Sequence, residues 1–391
     1  MKKHLSSAPS IRVRRRRGHA PSERKTAIAA ILVICAVIIA VSAALCCKAG
    51  LPACSAQRTP SPQNTFVPTS ASLPTAAPLP TSAPLPTAAP LPTATPAPYT
   101  FVSVSVSDAA EGQLALVNFE HGFPAADSTD VVPVTAAGSL LTERNDLSLA
   151  QPALSALSAL AEAFSEQTGG DRLLLTSAYR TLEYQQGVYD DYAATYGQAA
   201  ADAYVAAPGT SEHHTGLAAD LSSMSKDGER VTLPNHPQFE WLKAHCADYG
   251  FILRYPPEKE NITHVAYEPW HFRYIGKENA AAVRALDITF EEYIEYLRGF
   301  TPETKLLHVP SLSAAKPEDL GTAEFSALPD SGYVIYFVPT DENAGTESVN
   351  IPVPAQCRSY FISGSNDGGF IVTAELQANA GSAIHCMKKL V

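Results

Sequence analysis

Two short segments fifty residues apart carry the residues best suited to chemistry. The first is Ser211-Glu212-His213-His214-Thr215-Gly216-Leu217-Ala218-Ala219-Asp220, and the second is Glu268-Pro269-Trp270-His271. Together they supply two imidazoles and a carboxylate as ligands for a divalent metal, with a further carboxylate, Glu268, three residues before the last histidine. Three protein ligands, an open position and an acid to move a proton form the inventory of a catalytic zinc hydrolase.

Each residue also has a plainer reading. A histidine is usually a hydrogen-bonded side chain, and the chain holds eleven. Asp220 lies in the apolar run Leu217-Ala218-Ala219-Asp220-Leu221, where a buried carboxylate must be paired or bound to a metal. If that run is a strand, alternation sets Ala218 and Asp220 on one face, with His213 just before it. Ligation and a salt-bridged acid both fit this local pattern. For Glu268 the plainer reading is a surface acid near a turn.

The elements that position these groups follow from periodicity. Leu154, Leu157, Ala161 and Phe164 recur at helical spacing before Gly169-Gly170, and Leu173 to Tyr179 reads as a buried strand opening into a polar turn at Arg180. Residues 181–205 are predicted helical, with Tyr184, Val188, Tyr192 and Tyr196 along one side. Pro208-Gly209-Thr210 breaks that helix just before the first motif. Shorter helices are expected around Trp241–His245 and Glu291–Leu297, and a short strand at Leu114–Asn118. Strands mixed with helices without a βαβ rhythm give an α+β fold. Beyond about Lys305, Tyr333–Val338 and Phe370–Ala374 are strand-like, a small β-rich appendage over 305–391.

Three motifs in order, SAYR at 177–180, SxHxxGxAxD at 211–220 and EPWH at 268–271, give the chain a resemblance to the VanY-type D-alanyl-D-alanine carboxypeptidases. These are bacterial cell-wall enzymes among the sonic-hedgehog-like zinc peptidases. The resemblance runs over roughly Leu114 to Leu297 and includes Gly250-Phe251-Ile252-Leu253-Arg254-Tyr255-Pro256. It implies an antiparallel sheet flanked by helices. It also implies one zinc ion held by His213, Asp220 and His271, with Glu268 as the base. Arg180 would engage the substrate near its scissile carbonyl and terminal carboxylate, and Gln185 and Ser211 would contact the peptide. His264 stands where a glycine is expected, and His214 where glutamine is common; both are taken as noncatalytic. The implied substrate is a peptidoglycan stem peptide ending in D-alanine. The alternatives are an L,D-carboxypeptidase, an endopeptidase, or a wall-binding module without turnover.

The rest of the chain concerns location. Residues 1–50 carry ten Lys or Arg and a single acid, Glu23, which leaves eighteen basic and thirty-eight acidic side chains for the remainder. So acidic a body lacks the basic footprint that nucleic acid needs. Thr26 to Cys47 is an uncharged run of 22 residues, about 33 Å as a helix and long enough to cross a bilayer. Arg12, Arg14–Arg17, Arg24 and Lys25 precede it, and only Lys48 follows closely. The positive-inside rule then predicts a cytoplasmic tail (1–25), a single transmembrane helix (26–47) and an extracytoplasmic remainder at the bacterial cell membrane. A cleaved signal peptide is the rival, but its apolar core usually spans about 7–15 residues. Leu51-Pro52-Ala53-Cys54 faintly resembles a lipoprotein cleavage box. Residues 48–98 read as a linker in which LPTAAP-like hexads repeat, favouring extended polyproline II over a folded unit. A catalytic domain is expected over 99–304. Cys357 and Cys386 could pair.

Overall fold

The computed structural model describes residues 98–124, 129–340, 347–377 and 387–389. The expected membrane segment and the proline-rich linker lie outside these residues. Among the described residues no helix is long and apolar enough to cross a membrane.

A central sheet carries the candidate residues. Its strands run Leu140–Thr142, Arg172–Ser177, Ala218–Met224, His271–Tyr274 and Phe251–Leu253, with Arg230–Val231 added beside Ala218–Met224. The first pair is parallel and the others are antiparallel. One face buries Leu173, Leu175, Ala219, Leu221 and Phe272 against Leu157, Leu160, Ala161 and Phe164 of the Gln151–Thr168 helix. That helix starts with a proline in its first turn and ends at Gly169, whose φ of 73° gives the left-handed cap that favours glycine.

A second core lies between the helices Lys277–Leu286 and Phe290–Leu297 and a C-terminal sheet. Thr289 and Glu292 form a reciprocal capping box at the start of the latter helix. The C-terminal sheet has the order Gly321–Ala323, Leu306–Val309, Ser331–Pro339, Gly369–Gln377, Cys357–Gly364, Met387–Lys389. Its strands Ser331–Pro339 and Gly369–Gln377 include the two expected from the sequence. The strand Tyr99–Ser105 pairs antiparallel with Ser348–Pro354, nearly 250 residues away. The α+β expectation therefore holds, with a mostly antiparallel sheet flanked by helices.

One local expectation does not hold. Leu114 to Val117 is buried but is not a strand. Its polar backbone atoms are satisfied singly: Leu114 N–H by Ser363 Oγ, Leu116 N–H by the Ser365 carbonyl, and the Gln113 and Ala115 carbonyls by the Arg273 guanidinium. No neighbouring strand is needed once those bonds are made. Residues 181–205 are helical as expected, but in two pieces. The helix breaks at Gly197 into Leu182–Tyr196 and Gln198–Tyr204; Tyr184 and Tyr196 are exposed, and the first piece buries Gln185.

Cys357 is disulfide-bonded, whereas Cys246 is a free, buried thiol that donates to the Lys243 carbonyl. Burial pushes the Cys246 pKa up to about 12. Alkylation depends on the thiolate. Iodoacetamide at pH 8 should therefore leave the Cys246 peptide unmodified in the native protein and modify it after urea unfolding, as read by peptide mass mapping. Labelling of native Cys246 at the rate of a free cysteine would contradict this burial.

Candidate metal centre

Strand register brings the separated motifs together. Asp220 pairs directly with His271 across adjacent antiparallel strands, and Ala218 pairs with Arg273. The two-residue alternation of a strand then places Asp220, His271 and Arg273 on the face opposite the Phe164 core. His213 arrives from a single 3₁₀ turn, Glu212–Thr215, capped by Ser211, whose hydroxyl accepts from the His213 N–H. The turn ends at Gly216, with φ 68°; a Cβ there would lie 2.7 Å from Val131 Cγ1. Both the conformation and the space call for glycine, which is why the motif carries one before its strand.

Nitrogen atoms of His213 and His271 and a carboxylate oxygen of Asp220 all lie within 4.8 Å of one another. His213 Nε2 is 3.3 Å from Asp220 Oδ2, and His271 Nδ1 is 3.1 Å from Asp220 Oδ1. His213 Nδ1 donates to the Ala178 carbonyl at 2.6 Å, which leaves its Nε2 lone pair facing the cluster. Glu268 Oε2 stands 3.8 Å from His271 Nδ1, and its side chain is partly exposed.

The electrostatics fit a divalent cation. Burial, reinforced by Arg180, lowers the His213 pKa to about 4, so this imidazole is neutral. Burial opposes ionisation of Asp220, but His213 and then His271 hold its carboxyl below the ordinary range. Burial also opposes a charge on His271, yet Asp220 and Glu212 outweigh it and lift the pKa to about 9. Two anions thus flank His271 and demand positive charge between them. Neutral His213 and ionised Asp220 are already in the states a zinc ligand set requires, and a cation in the site would take the place of the His271 proton between the two anions.

Arg180 sits at the edge of this cluster. Its Nη2 is 3.3 Å from Asp220 Oδ2, and Nε and Nη2 both donate to Ser177 Oγ. Gln185 is buried; it accepts from Arg180 Nη1 at 3.2 Å and donates to the Ala206 carbonyl at 2.8 Å. The His214 ring supports the same turn. It accepts from the Gly209 N–H on Nε2 and donates from Nδ1 to the Arg180 carbonyl. His264 occupies a left-handed position at φ 55°, the conformation for which a glycine is expected, and its ring meets Phe119 edge-on.

Sequence reasoning did not single out Glu212, Arg254, Arg273 or Glu291. They form a buried ion cluster behind His271, with Arg254 Nε 2.7 Å and Arg273 Nη1 2.9 Å from Glu212 Oε1. Arg254 also pairs with Glu291. The available signal was two arginines inside the apolar strand text Phe251-Ile252-Leu253-Arg254 and Phe272-Arg273, where a charge requires a partner.

Comparison with known proteins bears on the family and the fold. Residues 146–277 match the family model described as VanY, D-alanyl-D-alanine carboxypeptidase. A D-alanyl-D-alanine carboxypeptidase of Enterococcus faecalis is 35% identical over 196 residues, 48% of this chain and 67% of that protein. One from Enterococcus faecium is 29% identical over 278 residues, 69% of this chain and 78% of that protein. That span exceeds 114–297, so the likeness reaches into the flanking regions. The crystal structure of the vancomycin-resistance D,D-dipeptidase VanXYg with a D-Ala-D-Ala phosphinate analogue superposes with a TM-score of 0.57 at 27% identity. It covers 71% of this chain and 99% of that one. Fold and site define a zinc-dependent peptidase. The chain belongs to the VanY family of D-alanyl-D-alanine carboxypeptidases.

Proposed function

We propose that this protein is a membrane-anchored, extracytoplasmic D-alanyl-D-alanine carboxypeptidase that removes the terminal D-alanine from peptidoglycan stem peptides. The observation that carries the reading is Arg180, a cation fixed by Ser177 and Gln185 at 3.3 Å from Asp220 of the ligand set. A carboxypeptidase must recognise a free chain end beside the bond it cuts, and a guanidinium offers a planar fork to that carboxylate. His213, Asp220 and His271 would hold one zinc ion, which when bound polarises the scissile carbonyl and acidifies water.

The chain's own groups do the rest. Glu268 takes the proton of the attacking water and returns it to the departing amine of D-alanine. Burial, opposed by His271, raises its pKa above the usual glutamate value, which suits a group that must accept and then release a proton. Arg180 is oriented towards the terminal carboxylate or the developing oxyanion, with Gln185 and Ser211 beside it as peptide contacts.

The uncharged run at 26–47, the arginines before it and the proline-rich composition of 48–98 support an outward-facing placement of the catalytic part (99–304) and the β-rich part (305–391). Incubation with defined pentapeptide and tetrapeptide stems, followed by mass spectrometry, tests the specificity. D-alanine should be released from the pentapeptide and the tetrapeptide left intact. Cleavage of the tetrapeptide alone would make the enzyme an L,D-carboxypeptidase.

A further inference from the structure

The buried ion cluster behind His271 has a composition that stability alone does not explain. Glu212, Arg254 and Arg273 have fully buried side chains. Ionised groups lose their hydration on burial, and well-packed apolar residues often serve the fold as well or better. What an apolar core cannot supply is a fixed anionic acceptor, and this cluster ends on one. Both arginines engage the same oxygen of Glu212, Oε1, from Arg254 Nε and Arg273 Nη1. The other oxygen, Oε2, lies 3.2 Å from His271 Nε2.

The arginines are themselves held from behind. Arg273 Nη2 donates to the Gln113 and Ala115 carbonyls at 3.1 and 3.0 Å, and Arg254 donates to both oxygens of Glu291 at 2.9 and 2.5 Å. Glu212 therefore has little freedom to turn. A neutral imidazole has one N–H and one lone pair. Once the Nε2–H is committed to Glu212 Oε2, the lone pair is on Nδ1, the atom that faces Asp220 Oδ1.

We propose that Glu212 is a positioning residue for the metal centre: it fixes the ring plane and tautomer of His271, and Arg254 and Arg273 hold it in place to do so. The inference rests on the assignment of His271 as a metal ligand. A carboxylate on the far nitrogen of a ligating histidine also strengthens the near nitrogen as a donor, and losing such a partner typically weakens metal binding about 10–100-fold.

The test is zinc affinity, measured by competition with a chromophoric chelator on the full chain, together with the visible spectrum of the cobalt-substituted protein. Glu212→Asp keeps the charge opposite the arginines but withdraws the carboxylate from His271. Glu212→Gln keeps the shape but removes the charge. Glu291→Gln cuts the cluster at its far end and serves as the control for a purely structural role. The expected result is zinc affinity about 10–100-fold weaker in the Glu212 variants, with an altered cobalt spectrum, while Glu291→Gln stays within about twofold of wild type.

A Glu212→Asp protein with native circular dichroism and wild-type zinc affinity would overturn the proposal. So would equal weakening by Glu291→Gln, which would make the cluster merely structural. Failure of wild type to bind zinc would instead remove the ligand assignment itself, and is read in the same titration before any variant is compared.

Discussion

Glu268→Ala should bind one zinc ion as wild type does and lose about 10²–10⁴-fold in kcat, the range typical of a lost general base. Glu268 is not one of the three converging groups; its oxygen is 3.8 Å from His271 Nδ1, while Asp220 and both histidines meet within 4.8 Å. Its backbone is fixed on both sides, the Glu268 N–H donating to the Tyr255 carbonyl and the Glu268 carbonyl accepting from the His271 N–H. Removing the carboxylate therefore takes away a proton acceptor without unseating the ligand that follows. His271→Ala, by contrast, should lose zinc and activity together. Metal content by mass spectrometry, set beside initial rates, separates the two. Equal zinc loss in both variants would contradict the assignment of Glu268 as the base.

The largest effect on stability should come from Arg254→Met. Methionine can fill part of the volume, but Glu212 would keep only Arg273 and His271 as partners, and Glu291 would lose both of its bonds from Arg254. Breaking a buried pair from one side typically costs about 3–5 kcal/mol, which urea denaturation would detect.

The same cluster sets an expectation for acid. Burial opposes the Glu212 charge, but Arg254 and Arg273 hold its pKa well below the ordinary carboxylate range. A depressed folded pKa contributes stability that is fully present above the unfolded value, about 4.3 for glutamate, and is lost as pH falls towards the folded value. Between about pH 5 and 3 the wild type should therefore lose stability more steeply than Arg254→Met, whose Glu212 is less strongly held. A difference of less than about 1 kcal/mol at neutral pH, or parallel acid profiles, would contradict this account of the cluster.

The cluster of His213, Asp220 and His271 was legible because its members sit in two compact segments, and because an aspartate in an apolar strand needs a partner. Once Ala218–Met224 and His271–Tyr274 pair in the observed register, Asp220 and His271 meet without further assumption. Glu212 was not legible in the same way. Beside His213 it reads as an ordinary turn acid, and its partners stand 42 and 61 residues away. Only the two arginines in apolar strands hinted that a buried anion must exist.

The one misread element fails for a related reason. Leu114–Val117 has the apolar text of a strand, but side chains and isolated carbonyls from elsewhere satisfy its backbone. The tyrosines after Leu182 have helical spacing, yet spacing does not reveal which side meets the body of the protein; Gln185 does, through Arg180. Likewise each strand of the C-terminal region is visible locally, whereas the pairing of Tyr99–Ser105 with Ser348–Pro354 depends on a contact that no local pattern encodes.

The most direct test of the central claim is D-alanine release from a defined pentapeptide stem by protein first stripped with a chelator and then titrated with zinc. Stripping should abolish release, and one equivalent of zinc should restore it in full, with no further gain from a second. Undiminished release by the stripped protein, or no release from the pentapeptide at any zinc loading, would contradict it.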